Sequence, residues 1–127
     1  MIKTFFIALL FFCIIDVFWI YFVATPMYKL EVPSLMELKV MPAIFFYIIF
    51  LLGLIFFVIN PNQGNTLFNV FLIGAFYGLV TYGTYGLTVY ATMNIFSLKL
   101  VIADILWGMF LSGSVATLTV FTIAKLD

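Results

Sequence analysis

The chain has 127 residues, of which 67% are hydrophobic, 20% aromatic and 8% charged, with a formal net charge of zero. Soluble domains carry roughly 45–50% apolar residues, so this composition belongs to an integral membrane protein. It excludes a separate soluble catalytic core, because the segments between apolar runs are too short to build one. Five lysines without arginine or histidine provide neither a nucleic-acid surface nor a histidine metal site, and no cofactor is expected.

Runs of about 20 apolar residues cross a hydrocarbon core of roughly 30 Å, and four such runs are present. The first covers about residues 4–25, between Lys3 and the Pro26-Met27-Tyr28-Lys29 break. It reads as a span rather than a cleavable leader, because a leader's apolar region is shorter and does not normally carry an aspartate. Ser34-Leu35-Met36-Glu37 then fits a capping box, and the stretch through Met41 reads equally as an interfacial helical turn or a solvated loop. The second span covers about residues 42–60, opening at Pro42 and stopped by Asn60-Pro61-Asn62-Gln63-Gly64-Asn65. The third and fourth cover about residues 67–92 and 100–124, separated by a turn with Asn94, Ser97 and Lys99. Loops this short force antiparallel neighbours, so the expected fold is all-α, a single membrane domain forming an up-down four-helix bundle. Lys3 and Lys125 flank one side and Lys29, Lys39 and Lys99 the other, too even a distribution to set orientation.

Two carboxylates interrupt the apolar runs, and both have a tryptophan three residues later: Asp16 with Trp19, and Asp104 with Trp107. Residues three apart share a helix face, so each aspartate sits beside its own tryptophan. With a rise of about 1.5 Å per residue, all four side chains fall in one slab of the bilayer, towards the Lys29 side. An ionisable group at such depth costs roughly 2.5–3.5 kcal/mol on insertion scales, and is retained only if paired, protonated or facing water. Neither aspartate has an intramembrane lysine or arginine to pair with. Asp16 and Asp104 are therefore expected to face one cavity lined by Trp19, Trp107, Tyr85 and Thr81, and to be candidates for ligand binding or proton relay.

The third span supplies another wall. Positions 74, 78, 81, 85, 88 and 92 read Gly, Gly, Thr, Tyr, Thr, Thr, a small and polar stripe. Gly74 and Gly78 form GxxxG, which allows close helix approach, and Gly108 follows Asp104 by four on the fourth span. Thr81, Tyr85 and Thr88 can hydrogen-bond across helices or to a ligand.

Asp16-Val17-Phe18-Trp19, Phe46-Tyr47 with Gly53, Gly74 through Tyr82 with Thr84-Tyr85, and Asp104-Ile105-Leu106-Trp107-Gly108 together resemble the domain-of-unknown-function family DUF2177, small bacterial predicted membrane proteins. The resemblance covers nearly the whole chain. It implies a four-span bundle in a bacterial inner membrane and brings no established reaction, substrate or cofactor. The family pattern continues Tyr-Asp-Leu-Thr-Asn in the third span, where this chain has Tyr85-Gly86-Leu87-Thr88-Val89. A carboxylate and an amide are thus replaced, which weighs towards a structural role.

Three functional readings compete. In the first, a structural or accessory protein, the polar residues join helices through modest hydrogen bonds. In the second, a small carrier or proton-coupled transporter, Asp16 and Asp104 are the coupling groups. In the third, an intramembrane lipid-modifying enzyme, the two carboxyls act as general acid and base, without any nucleophile–base pair nearby. The expected partners are the lipid bilayer, a lipid or small apolar ligand, and a second copy of the chain.

Overall fold

The computed structural model describes residues 2–19, 21–22, 40–93 and 97–126. Its four long helices are α1 (Ile2–Trp19), α2 (Val40–Leu54), α3 (Leu67–Thr92) and α4 (Leu98–Leu126). Beyond Leu54, α2 continues as a π turn over Ile55–Ile59 and a 3-10 turn over Asn60–Asn62. All four helical segments are long and apolar enough to cross a membrane, and the fold is the all-α four-helix bundle that the apolar runs imply. The end of the first predicted span and most of the Ser34–Met41 capping-box stretch lie outside the described residues. Val40 and Met41, read as the end of that stretch, instead begin α2. Pro42 thereby falls in the first helical turn, where its missing N–H has no intrahelical partner to lose.

Local chemistry sets the other boundaries. The Thr66 hydroxyl caps α3 by accepting the Asn69 N–H at 3.3 Å, and the Ser97 hydroxyl accepts the Leu100 N–H at 3.1 Å at the start of α4. Gly64, with φ of +86°, makes the left-handed residue of the α2–α3 turn. In the irregular end of α2 the Asn60 N–H reaches back five residues to the Ile55 carbonyl, and Asn62 Nδ2 donates to the Val58 carbonyl at 2.7 Å. Backbone groups at membrane depth need such internal partners because lipid offers none.

Packing inverts the pattern of a soluble bundle. The buried residues of α1 recur every four positions, Thr4, Ala8, Phe12 and Asp16, and include its small and polar residues. Ile2, Phe6, Leu10 and Ile14 lie exposed on the same helix. Where the surroundings are as apolar as leucine, burial brings no hydrophobic gain; close packing and hydrogen bonds choose the inner face. α3 and α4 show the same logic in backbone contact. Gly74 lies opposite Gly113, Gly78 opposite Gly108 and Gly86 opposite Val101, an antiparallel register held along most of both helices. A Cβ on Gly74 would sit 2.9 Å from the Gly113 Cα, and one on Gly78 would collide with the Gly108 carbonyl.

Phe12, Phe50, Leu51, Leu54, Leu111 and Val115 fill the centre. The close approach of α2 to α3 is at the π turn. Nearer the Pro42 end, aromatic side chains bridge the two helices. Phe50 stacks on Tyr77 at 5.2 Å, and Phe46 meets Tyr82 edge-on at 6.3 Å. Tyr77 Oη also donates to the Phe50 carbonyl at 2.9 Å, passing over Gly53, where any Cβ would strike it. Tyr77→Phe keeps the ring stack and loses this bond. It is expected to lower unfolding stability by about 0.5–1.5 kcal/mol, read by thermal unfolding in micelles, and no loss would show that the hydroxyl carries no tie.

Candidate functional site

The two aspartates, equivalent in the sequence pattern, sit in different surroundings. Asp16 is only 7% exposed. One of its carboxylate oxygens accepts the Trp107 indole N–H at 3.2 Å, and the other accepts the Tyr47 hydroxyl at 3.1 Å. One carboxylate thus joins α1, α2 and α4. Its donors are held in turn by packing. Trp107 stacks on Trp19 with ring centres 4.6 Å apart and planes 7° from parallel, and Phe12 meets Tyr47 edge-on at 4.9 Å. The Asp-x-x-Trp motifs therefore interlock across helices: the tryptophan of one motif bonds the aspartate of the other, while the two indoles stack.

Asp104 lies one turn before Trp107 on α4 and borders a cavity of about 550 Å³, whose walls also include Pro42, Phe46, Tyr47, Thr81, Tyr82 and Tyr85. No described residue donates a hydrogen bond to it. The cavity walls come from α2, α3 and α4, and the size falls within the usual range for small-molecule sites. Tyr47 belongs to both arrangements. Its hydroxyl bonds Asp16 while it forms part of the wall that Asp104 shares.

Thr81, Tyr85 and Asp104 border one cavity, whereas Asp16, Trp19 and Trp107, expected to share it, are not among its described walls and form the interlocked group beside it. Thr88, the other candidate on α3, is exposed and stands apart from the cavity wall. The reason lies in the rotation of α3. Its α4-facing line runs through Gly74, Gly78 and Gly86 in multiples of four, so Tyr85 turns to the cavity rim and Thr88 turns outward. Gly74, Gly78 and Gly108 are the contact points between α3 and α4. Thr81 bonds its own helix, donating to the Tyr77 and Gly78 carbonyls at 3.0 and 3.2 Å, which orients its methyl and hydroxyl on the wall.

The sequence-based candidates omitted Tyr47, Tyr82, Phe46 and Pro42. A signal for Tyr47 was present, since it is the one side-chain hydroxyl between Pro42 and Ile59. In an otherwise apolar span, a single hydroxyl at the depth of a buried carboxylate is a natural partner for it.

The family model for the predicted membrane protein DUF2177 matches residues 1–121. The chain belongs to this family. No curated protein and no solved structure matches it. In this DUF2177 protein, Gly86 is buried against α4, where a Cβ would come 3.2 Å from Val101 Cγ1. A side chain there would need Val101 to give way by a few tenths of an ångström.

Proposed function

We propose that this protein is a membrane-embedded binding protein of carrier type, in a bacterial inner membrane, that takes a small amphiphilic ligand with its polar end at Asp104. The reading rests on one observation: the Asp104 carboxylate borders a tyrosine-walled cavity without a hydrogen bond from any described residue. An ionisable group at this depth is retained when paired, protonated or facing water, and a ligand can supply the pair. Asp16 serves here as scaffold, with both its oxygens engaged by donors of α2 and α4. That division weakens the enzyme reading, which needs two carboxyls available as acid and base.

The structural or accessory reading is favoured by the same Asp16 tie and by the glycine contact between α3 and α4. Asp104→Asn separates the two. It preserves shape and removes the charge, so the purified variant is expected to keep the fold, read as a cooperative unfolding transition. Small molecules co-purifying with the wild type, detected by native mass spectrometry, are expected to be absent from the variant. Identical spectra from both proteins would leave Asp104 without a ligand and return the protein to the structural reading.

A further inference from the structure

A second cavity, of about 450 Å³, lies along the same α2–α3 crevice, walled by Phe57, Val58, Ile73, Phe76, Tyr77, Val80 and Thr81. Thr81 is a wall of both cavities. The two differ sharply in chemistry. The Asp104 end offers one carboxylate and three tyrosines, and the other end offers aliphatic and phenyl surface, with Phe57, Phe76 and Val80 half or more exposed towards lipid. Tyr85 and Ile73, at the far ends of the two cavities, lie roughly 18 Å apart along α3. Such a polar-to-apolar gradient suits an amphiphile whose head lies at Asp104 and whose chain runs past Thr81.

Charge selects the head group. None of the described residues walling the Asp104 cavity is cationic, so none of them gives the carboxylate a counter-charge. Phe46, Tyr47, Tyr82 and Tyr85 surround the same space, and the faces of such rings attract cations, quaternary ammonium groups above all. An anionic head would meet like charge, and a neutral one would leave the carboxylate uncompensated. Resting on the binding reading above, we infer that the ligand is an amphiphile with a cationic amine or quaternary ammonium head, one alkyl chain lying in the α2–α3 groove. The amine is either that of a free alkylamine or that of an amine-bearing bilayer lipid entering from the side.

The test uses the full chain in maltoside micelles with three amphiphiles of one chain length, dodecyltrimethylammonium, dodecyl sulfate and dodecanol, plus tetramethylammonium as a head without a chain. Binding is read from tryptophan fluorescence and from the shift in unfolding temperature, each relative to Asp104→Asn. Dodecyltrimethylammonium is expected to bind at least ten-fold more tightly than the sulfate or the alcohol, with the preference lost in the variant, and tetramethylammonium to bind at least ten-fold more weakly. Val80→Trp, at an exposed groove position, is expected to weaken the dodecyl compound about ten-fold and leave tetramethylammonium unchanged, so the chain placement is testable even if Asp104→Asn fails to fold. Added phosphatidylethanolamine that displaces the ammonium amphiphile assigns the site to a bilayer lipid, and failure to displace it assigns the site to a free amine. If dodecanol or dodecyl sulfate binds as tightly as the ammonium compound in an Asp104-dependent way, the cationic head is wrong while the binding reading stands. If none of the three gives an Asp104-dependent signal, both fail. Unchanged dodecyltrimethylammonium affinity in Val80→Trp overturns the chain placement.

Discussion

Gly78→Leu is expected to drive α3 away from α4 and to lower the stability of the packed bundle by about 2–3 kcal/mol or more. The magnitude follows from what a side chain would meet. A Cβ on Gly78 overlaps the Gly108 carbonyl and comes within 2.8 Å of the Met109 Cα, both backbone atoms that no rotamer change can move. Relief requires the helices to shift, which also disturbs Gly74 against Gly113 and Gly86 against Val101. Each span is stable in lipid by itself, because its backbone bonds are internal, so the variant should lose packing before it loses helix. Far-ultraviolet circular dichroism in micelles should therefore stay helical while tryptophan fluorescence and thermal unfolding report a loosened bundle. Gly83→Ala is the matched control. Among the described residues a Cβ there meets only Leu79 Cδ1 at 3.9 Å, so stability should hold or rise by up to about 1 kcal/mol through better helix propensity. Equal losses at Gly78 and Gly83 would mean that the effect is one of glycine chemistry and not of helix contact.

Asp16→Ala should have the next largest effect, a loss of about 1–3 kcal/mol. Removing the carboxylate strands two donors at once, the Trp107 indole N–H and the Tyr47 hydroxyl, in surroundings without water. Interhelical hydrogen bonds in membranes contribute about 0.6–2 kcal/mol each, and here two converge on one residue. The change also removes the expense of inserting a carboxylate, so α1 should enter the bilayer more readily while the assembled bundle unfolds more easily. Those opposite signs distinguish a tie from a mere burden. Asp16→Asn retains one acceptor oxygen and should lose about half as much. The checks are unfolding by denaturing detergent in mixed micelles and the emission maximum of Trp107, which should shift when its N–H loses its acceptor. A stability gain in Asp16→Ala would remove the structural role assigned to this residue.

Together these substitutions separate scaffold from site. Gly78 and Asp16 substitutions are expected to act on assembly, whereas Asp104→Asn is expected to act on ligand binding and to leave the helix contacts alone. The interlocked indoles explain why the scaffold can tolerate an open space beside it. Trp19 and Trp107 fix α1 to α4, and Tyr47 closes the gap towards α2, so the walls around Asp104 do not depend on a ligand to stay in place.

Much of this organisation could be read from residue order. The four spans, their antiparallel sense and the shared depth of Asp16 and Asp104 follow from run length, short loops and the fixed rise of a helix, all local or one-dimensional quantities. The α3 boundaries at Leu67 and Thr92 follow from the Asn/Pro/Gly cluster before it and the polar turn after it. What residue order could not decide is rotation. A helix that is apolar all round offers no single moment to orient it, and lipid supplies no hydrophobic force to prefer one face. The facing direction of α1 and α3 was settled by contacts between distant residues: Asp16 with Trp107 and Tyr47, and glycine backbone against glycine backbone. For the same reason Thr88, although on the polar stripe, turned outward, and Tyr47 turned in. The sequence by itself determined that two carboxylates would share one level of the membrane. Only the packing of four helices decided that Asp16 would be bound on both oxygens and Asp104 left to face a cavity, because hydrogen-bond partners depend on helix rotation and not on depth.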